Sequence, residues 1–216
     1  MTIATANAAA FNGVDADKPI VALYETRQIK IALQPQLNKQ QWQFWRSKNR
    51  VEKSYQEAKN MHKNEIEIWE KNAQDISFSH VFLEQQRIIE YNAGDLRSLG
   101  QVPNWDRVQH LISPELLNQL TKTASLKVLG YEASQYSGQI QGVDLTVIWI
   151  DDLQLPAMIR QIKSNMTYSV HLLAIYPQEK SPWKRAEIEH FLTMDFADLG
   201  DNEADPIWAS LGNKHH

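Results

Sequence analysis

The feature that most limits what this chain can fold into is the segment from Gly130 to Asp151, where apolar and polar residues alternate at every second position beyond Gly142. Val143, Leu145, Val147 and Trp149 fall on one side of an extended chain, and Asp144 and Thr146 fall on the other. That period belongs to a strand with one face turned inward, because successive side chains of extended backbone point to opposite faces. Gln141-Gly142 precedes the run and predicts a hairpin turn, since glycine takes the positive φ that tight hairpins require. Leu155-Pro156 is expected to break the ladder and Ala157 to Ile162 to resume it. Ser164-Asn165 then turns the chain, and Thr167 to Ile175 returns with Tyr168, Val170 and Leu172 alternating. Four successive strands emerge.

The same period occurs earlier in the chain. Ile66 and Ile68 stand against Glu65 and Glu67, and Ile76, Phe78, His80 and Phe82 share a face after the polar turn Asn72 to Asp75. Arg87 to Tyr91 reads as the next strand, while Ile20 to Leu33 and Gln41 to Trp45 are β-like and Gln56 to Lys63 is a polar loop. Helices are announced only by their starts, where an N-cap side chain accepts from free amides and proline at the first position loses nothing. Ser113-Pro114 leads into Leu116, Leu117 and Leu120 and predicts an amphipathic helix. Ser181-Pro182 before Trp183 and Ile188, and Asp205-Pro206 before Ile207, carry the same start signal. The expected class is therefore mainly β (α+β), an antiparallel sheet with a few helices.

A chain of 216 residues can bury a sizeable core as one domain, assigned here to residues 18–211 between an Ala-rich leader, 1–17, and a tail, 212–216. The leader has the small-residue spacing of a signal cleavage site without the basic start, so an exported and a cytoplasmic reading both stand. A net charge of −4 opposes non-specific attraction to nucleic acid. Without cysteine there is no disulfide scaffold, thiolate catalysis or Cys-ligated metal. No apolar run reaches the roughly eighteen residues that a helical membrane span needs.

Nothing in the sequence names a reaction. Asp195 to Asp205 is rich in carboxylates, but its spacing misses the EF-hand loop, and it reads as a solvated segment. His80 and His171 lie on strands and do not have the spacing of a zinc motif. No nucleophile elbow or phosphate loop occurs, and adjacent Asp151 and Asp152 point apart if extended. The expectation is a non-enzymatic protein without cofactor or metal. If the sheet curves without being filled by its own side chains, inward aromatics and aliphatics would border an apolar pocket.

Gly130-Tyr131, Tyr136-Ser137-Gly138, the Gly142 turn before Val147-Ile148-Trp149-Ile150-Asp151, and Leu155-Pro156 resemble the closing strands of the LolA and LolB lipoprotein carrier superfamily of the bacterial envelope. Ile68-Trp69-Glu70, Ile76-Ser77-Phe78 and Ile89 to Leu96 look like an uncharacterised group of exported bacterial proteins with the same closing pattern. The resemblance implies a strongly curved antiparallel half-barrel with helices on its concave face. It also implies a periplasmic protein holding a lipid or acylated peptide, with an envelope protein as partner. On that reading Phe78, Phe82, Leu116, Leu120, Val147, Trp149, Tyr168 and Val170 line the cavity. The alternative is a protein–protein interaction module whose cavity is filled and which presents the acidic C-terminal segment.

Overall fold

The computed structural model describes residues 18–30, 36–55, 65–73 and 75–201. These form one open sheet of 12 strands carrying short helices on its inner face. The first meander is β1 (Ile20–Lys30), β2 (Gln36–Ser47), β3 (Arg50–Tyr55), β4 (Glu65–Asn72), β5 (Asp75–Phe82) and β6 (Arg87–Tyr91). Helices α1 (Ala93–Ser98), α2 (Trp105–His110) and α3 (Pro114–Leu117) follow. The second meander is β7 (Thr121–Val128), β8 (Tyr131–Ile140), β9 (Val143–Ile150), β10 (Leu155–Lys163) and β11 (Met166–Pro177), and β12 (Leu192–Asp195) comes last.

In space the order is β12-β6-β5-β4-β3-β2-β1-β11-β10-β9-β8-β7. Each meander grows outward from the central β1–β11 pair, so the segment between β6 and β7 must cross from near one edge of the sheet to the other. That crossover carries all three helices, and it is what lays them over the inner face. All pairings described are antiparallel except β12 on β6. The edges do not meet, so the architecture is a curved half-barrel and not a closed barrel.

Local chemistry explains the ends of these elements. Gln141 and Gly142 both take positive φ, 50° and 77°, as a two-residue hairpin turn requires. A Cβ at Gly142 would meet nothing within 4 Å, so Gly142→Ala tests backbone strain alone. We expect a loss of about 1 kcal/mol in urea unfolding, the cost of holding an L-residue in the left-handed region. The helices are capped by side chains: Asn92 closes a capping box with Asp95, Asn104 accepts from Arg107 N–H, and Ser113 accepts from Leu116 N–H.

Three expectations need correction. Pro156 does not break the ladder: β10 begins at Leu155, and the missing proline N–H is absorbed by an irregularity in register between Pro156 and Met158. Ser181-Pro182 starts no helix; the Ser181 hydroxyl accepts from Trp183 N–H, and the chain bends there and runs on without regular structure. It is held that way by the outer face of the sheet, where Trp183 meets Tyr176 edge to face and Arg185 lies 5.2 Å over the Trp45 ring. Ile188 and Phe191 then cover Ile66, Ile68 and Val81. Finally, β3, β7, β12, α1 and α2 occur where no element was expected. Asp205-Pro206, the leader, the tail and the loop from Gln56 to Lys63 lie outside the described residues.

Candidate functional site

Strand register decides which side chains share the inner face. Trp42 pairs with Tyr55, and Phe44 with Lys53. Lys53 pairs in turn with Glu67 and Glu67 with His80, while Val51, Trp69, Phe78 and Tyr91 form the neighbouring row. The inner face thus carries two apolar regions, joined through Trp69, with a polar strip beside that junction.

The larger region gathers buried Ile20, Ala22 and Tyr24 of β1, Trp42 and Phe44 of β2, and apolar residues of β8 to β11, all beneath α2 and α3. Tyr24 and Trp42 stack at 4.8 Å, and Phe44 meets both rings edge to face. The Tyr24 hydroxyl donates to the Pro156 carbonyl, and burial pushes its pKa far above the ordinary phenol. The smaller region joins Phe82, Ile89 and Tyr91 to Leu96 of α1 and to Leu199.

Beside their junction at Trp69 lies the strip. The Tyr55 hydroxyl donates to Glu67 at 3.2 Å, Lys53 lies 3.6 Å from the other Glu67 oxygen, and His80 Nε2 donates to Glu65 at 2.9 Å. Burial, reinforced by Glu67, raises the Tyr55 pKa strongly, so it stays a hydrogen-bond donor at any physiological pH.

Helices α2 and α3 act as a cover, and Arg46 fastens it. Arg46 is 1% exposed, on the same inward parity as Trp42 and Phe44. Its guanidinium donates to Leu153 O at 2.8 Å and to Gln154 O and Gln109 O at 3.4 Å, tying the end of α2 to the β9–β10 turn. His110 adds a bond from Nδ1–H to Gln154 O at 2.9 Å, with its ring against Trp149. At the far end, Leu120 packs on Gly138, where an added Cβ would come within 3.0 Å of Leu120 Cδ2.

Burial, aided by nearby Arg46, holds the His110 pKa below its ordinary 6.5, with Asp106 and the Gln154 bond opposing. The unfolded chain therefore takes up a proton there before the folded one does, and stability falls as pH drops below 6.5 toward the folded value. His171 is shifted the same way by burial and Arg27, so the contrast must be made within one site. His110→Asn keeps a neutral donor, and its unfolding free energy should decline less than the wild type's between neutrality and pH 5. Parallel declines would show that His110 does not carry the effect.

The eight residues singled out from the sequence do not form one lining. Leu120, Val147, Trp149 and Val170 are buried in the larger region, with Leu116 packed against it. Phe82 is buried in the smaller region and Phe78 packs against that. Tyr168 is 38% exposed. His80 and His171 stand on strands with four others between them, and on opposite faces, so they do not converge. No group of three potential metal ligands occurs among the described residues. Asp195, Asp198 and Asp201 lie on β12 and the turn after it, and the rest of the acidic segment lies outside the described residues.

No protein-family model matches this chain, and no curated protein sequence does. Solved structures do. PNGF-II is 13% identical over 83% of this chain, with a TM-score of 0.42, and the chain spans 32% of its length. A DUF1329 family protein from Desulfovibrio piger is 8% identical over 82% of this chain and 92% of its own, with a TM-score of 0.41. A LolA superfamily protein from Nitrosomonas europaea is 10% identical over 81% of this chain and 90% of its own, with a TM-score of 0.32. These similarities are of architecture alone.

Proposed function

We propose that this chain is a non-enzymatic protein of the bacterial envelope, working in the periplasm, that holds a lipid or acylated peptide between the inner face of its sheet and the α2–α3 cover. One observation carries the reading. An aromatic-lined sheet face is covered by two helices of 6 and 4 residues, too short to be stable by themselves, fastened at one end through Arg46 and His110. A cover of that kind can lift without unravelling the sheet. No helix among the described residues is long and apolar enough to cross a membrane.

In the closed arrangement Leu120, Val147, Trp149 and Val170 pack in one cluster, so a ligand enters by displacing the cover from them. The same packing favours a second reading, an interaction module whose interior stays shut. Native mass spectrometry of gently purified protein, followed by titration of the delipidated protein with palmitate and an apolar fluorescent dye, separates the two. Retained mass that extracts into organic solvent, or saturable binding at micromolar concentrations, supports the carrier. Bare protein that binds neither probe overturns it and leaves the interaction module.

A further inference from the structure

Strand β10 starts beside the Gln154 carbonyl that Arg46 and His110 hold, and it ends at Lys163, so the β10–β11 turn lies at the opposite rim of the half-barrel. The end of β1 and the start of β2 lie at the same rim. Register sets Ile29 opposite Leu37, and Met166 opposite both Lys30 and Lys163. Tyr168 stands two positions further in, opposite Gln28. We infer that this rim docks on an anionic lipid bilayer, its apolar side chains entering the interface and its lysines meeting the headgroups.

Two observations point there. Of the eight large apolar side chains left exposed among the described residues, four stand at this rim: Ile29, Leu37, Met166 and Tyr168. Scattered singly they would need no explanation, but half of them on adjoining strand ends make a patch, and a patch marks a contact surface. Leu37 is 53% exposed on the strand that buries Trp42, Phe44 and Trp45. The second observation is charge. Strands β1, β2, β10 and β11 carry one carboxylate between them, Glu25, which Arg27 holds at 2.6 Å while Lys39 acts on it from further off. Lys30, Lys39 and Lys163 are exposed and make no ion pair among the described residues. The acid on the next strand is Asp144, opposite Ile162, and it accepts from the Gln139 amide. Three lysines against that carboxylate leave the rim basic on a chain of net charge −4, which selects an anionic partner.

A bilayer uses both features at once. Lysine lays its carbon stem along apolar surface and keeps its ammonium among phosphates, while leucine, isoleucine and methionine reach the acyl boundary and tyrosine sits at headgroup level. A nucleic acid would use the charge and leave Leu37 and Met166 in water. With three lysines and a few apolar side chains the attachment is reversible, and it weakens as salt screens the headgroups. Tyr168 shares the inward parity of Val170 and Leu172, so the interior of the half-barrel opens at the docked rim. That orientation suits the acyl-chain reading without depending on it.

Co-sedimentation of the full chain with phosphatidylcholine vesicles, carrying either no phosphatidylglycerol or about 30 mol%, tests this at about 0.05 M and about 0.5 M salt. The wild type should partition onto the anionic vesicles at least about tenfold more strongly than onto the neutral ones, and should lose most of that at the higher salt. Lys30→Gln, Lys39→Gln and Lys163→Gln combined should lower the partition by about tenfold or more, and Leu37→Ser with Met166→Ser by about fivefold. The exposed control Lys180→Gln, past the far end of β11, should leave it unchanged. All these variants should match the wild type in unfolding midpoint and in palmitate binding, so a failed rim and a failed acyl-chain site are told apart. Equal partition onto neutral vesicles, or no partition at all, would overturn the proposal. Binding to heparin that ignores the serine changes, without binding to vesicles, would overturn it too and make the rim a polyanion site.

Discussion

Phe44→Ala is expected to lower the unfolding free energy by about 3–5 kcal/mol, the range found when a fully buried aromatic is truncated. Phe44 is 0% exposed and sits where the larger apolar region meets the polar strip: it pairs with Ala22 of β1 and Lys53 of β3, and its ring abuts Tyr24 and Trp42. Those neighbours are anchored independently, Tyr24 by Pro156 O and Trp42 by Thr26 Oγ1, so they cannot swing in to fill the gap. The cavity term therefore adds to the lost transfer term instead of being relieved. Against a total stability of about 5–15 kcal/mol, a loss of this size is a large fraction. Phe44→Leu keeps most of the volume and should cost less than about 1.5 kcal/mol. Urea denaturation followed by tryptophan fluorescence gives both values. If the alanine variant lost under about 1 kcal/mol, the inner face would be loosely filled, and the closed packing under α2 and α3 would not be the resting state.

The strands were legible where one face is apolar and the other polar. Arg87 to Tyr91 and Val143 to Ile150 are bounded in the structure by turn residues, and Ile89 and Tyr91 of the first and Leu145, Val147 and Trp149 of the second are buried at alternate positions. Strands β3 and β7 escaped for a different reason. The inward row of β3 is Val51, Lys53 and Tyr55, a short row with a charged residue at its centre, so it shows no run of apolar residues at every second position. At the sheet edge, β7 is exposed along most of its length, and its sequence Thr-Lys-Thr-Ala-Ser-Leu-Lys-Val has little to alternate. Helix α2 is short and ends on Leu111 at φ 64°, a left-handed stop on a non-glycine residue that no propensity rule announces. The crossover between the edges is invisible to any local pattern, since periodicity reports which face a residue takes and not which strand lies beside it.

Much the same divides the site. The apolar residues of β9, β11 and β5 could be placed on the inner face from their spacing, whereas the gathering of the β9 and β11 residues into one region and of Phe78 and Phe82 of β5 into another follows from strand order. Arg46 left one usable signal. In Trp42-Gln43-Phe44-Trp45-Arg46 it shares the parity of the inward Trp42 and Phe44, and a charged residue at an inward position must be hydrogen-bonded there or the fold would not tolerate it. What it bonds to comes from elements 63 to 108 residues away, which the sequence does not join.

That inward arginine gives the second large effect. Arg46→Met keeps roughly the length of the side chain and removes every donor. Leu153 O and Gln109 O then lose their guanidinium partner, while Gln154 O retains His110. Each unpaired buried acceptor costs about 1–3 kcal/mol, partly offset because the guanidinium no longer has to be desolvated, so the net loss should be about 2–4 kcal/mol. Arg46→Lys should fall between, since one ammonium cannot reach carbonyls on both α2 and the β9–β10 turn with the fork geometry of arginine. Global stability alone would not separate a cover fastening from an ordinary core contact. Hydrogen exchange does: in Arg46→Met the amides of α2 should open far more readily than those of β9 and β10, which keep their own ladder. If the cover admits an apolar ligand, the same variant should bind the dye more tightly than the wild type, because less free energy is spent lifting α2. Uniform acceleration across helix and sheet, with dye binding unchanged, would make Arg46 a support of the whole barrel and leave the cover without a catch.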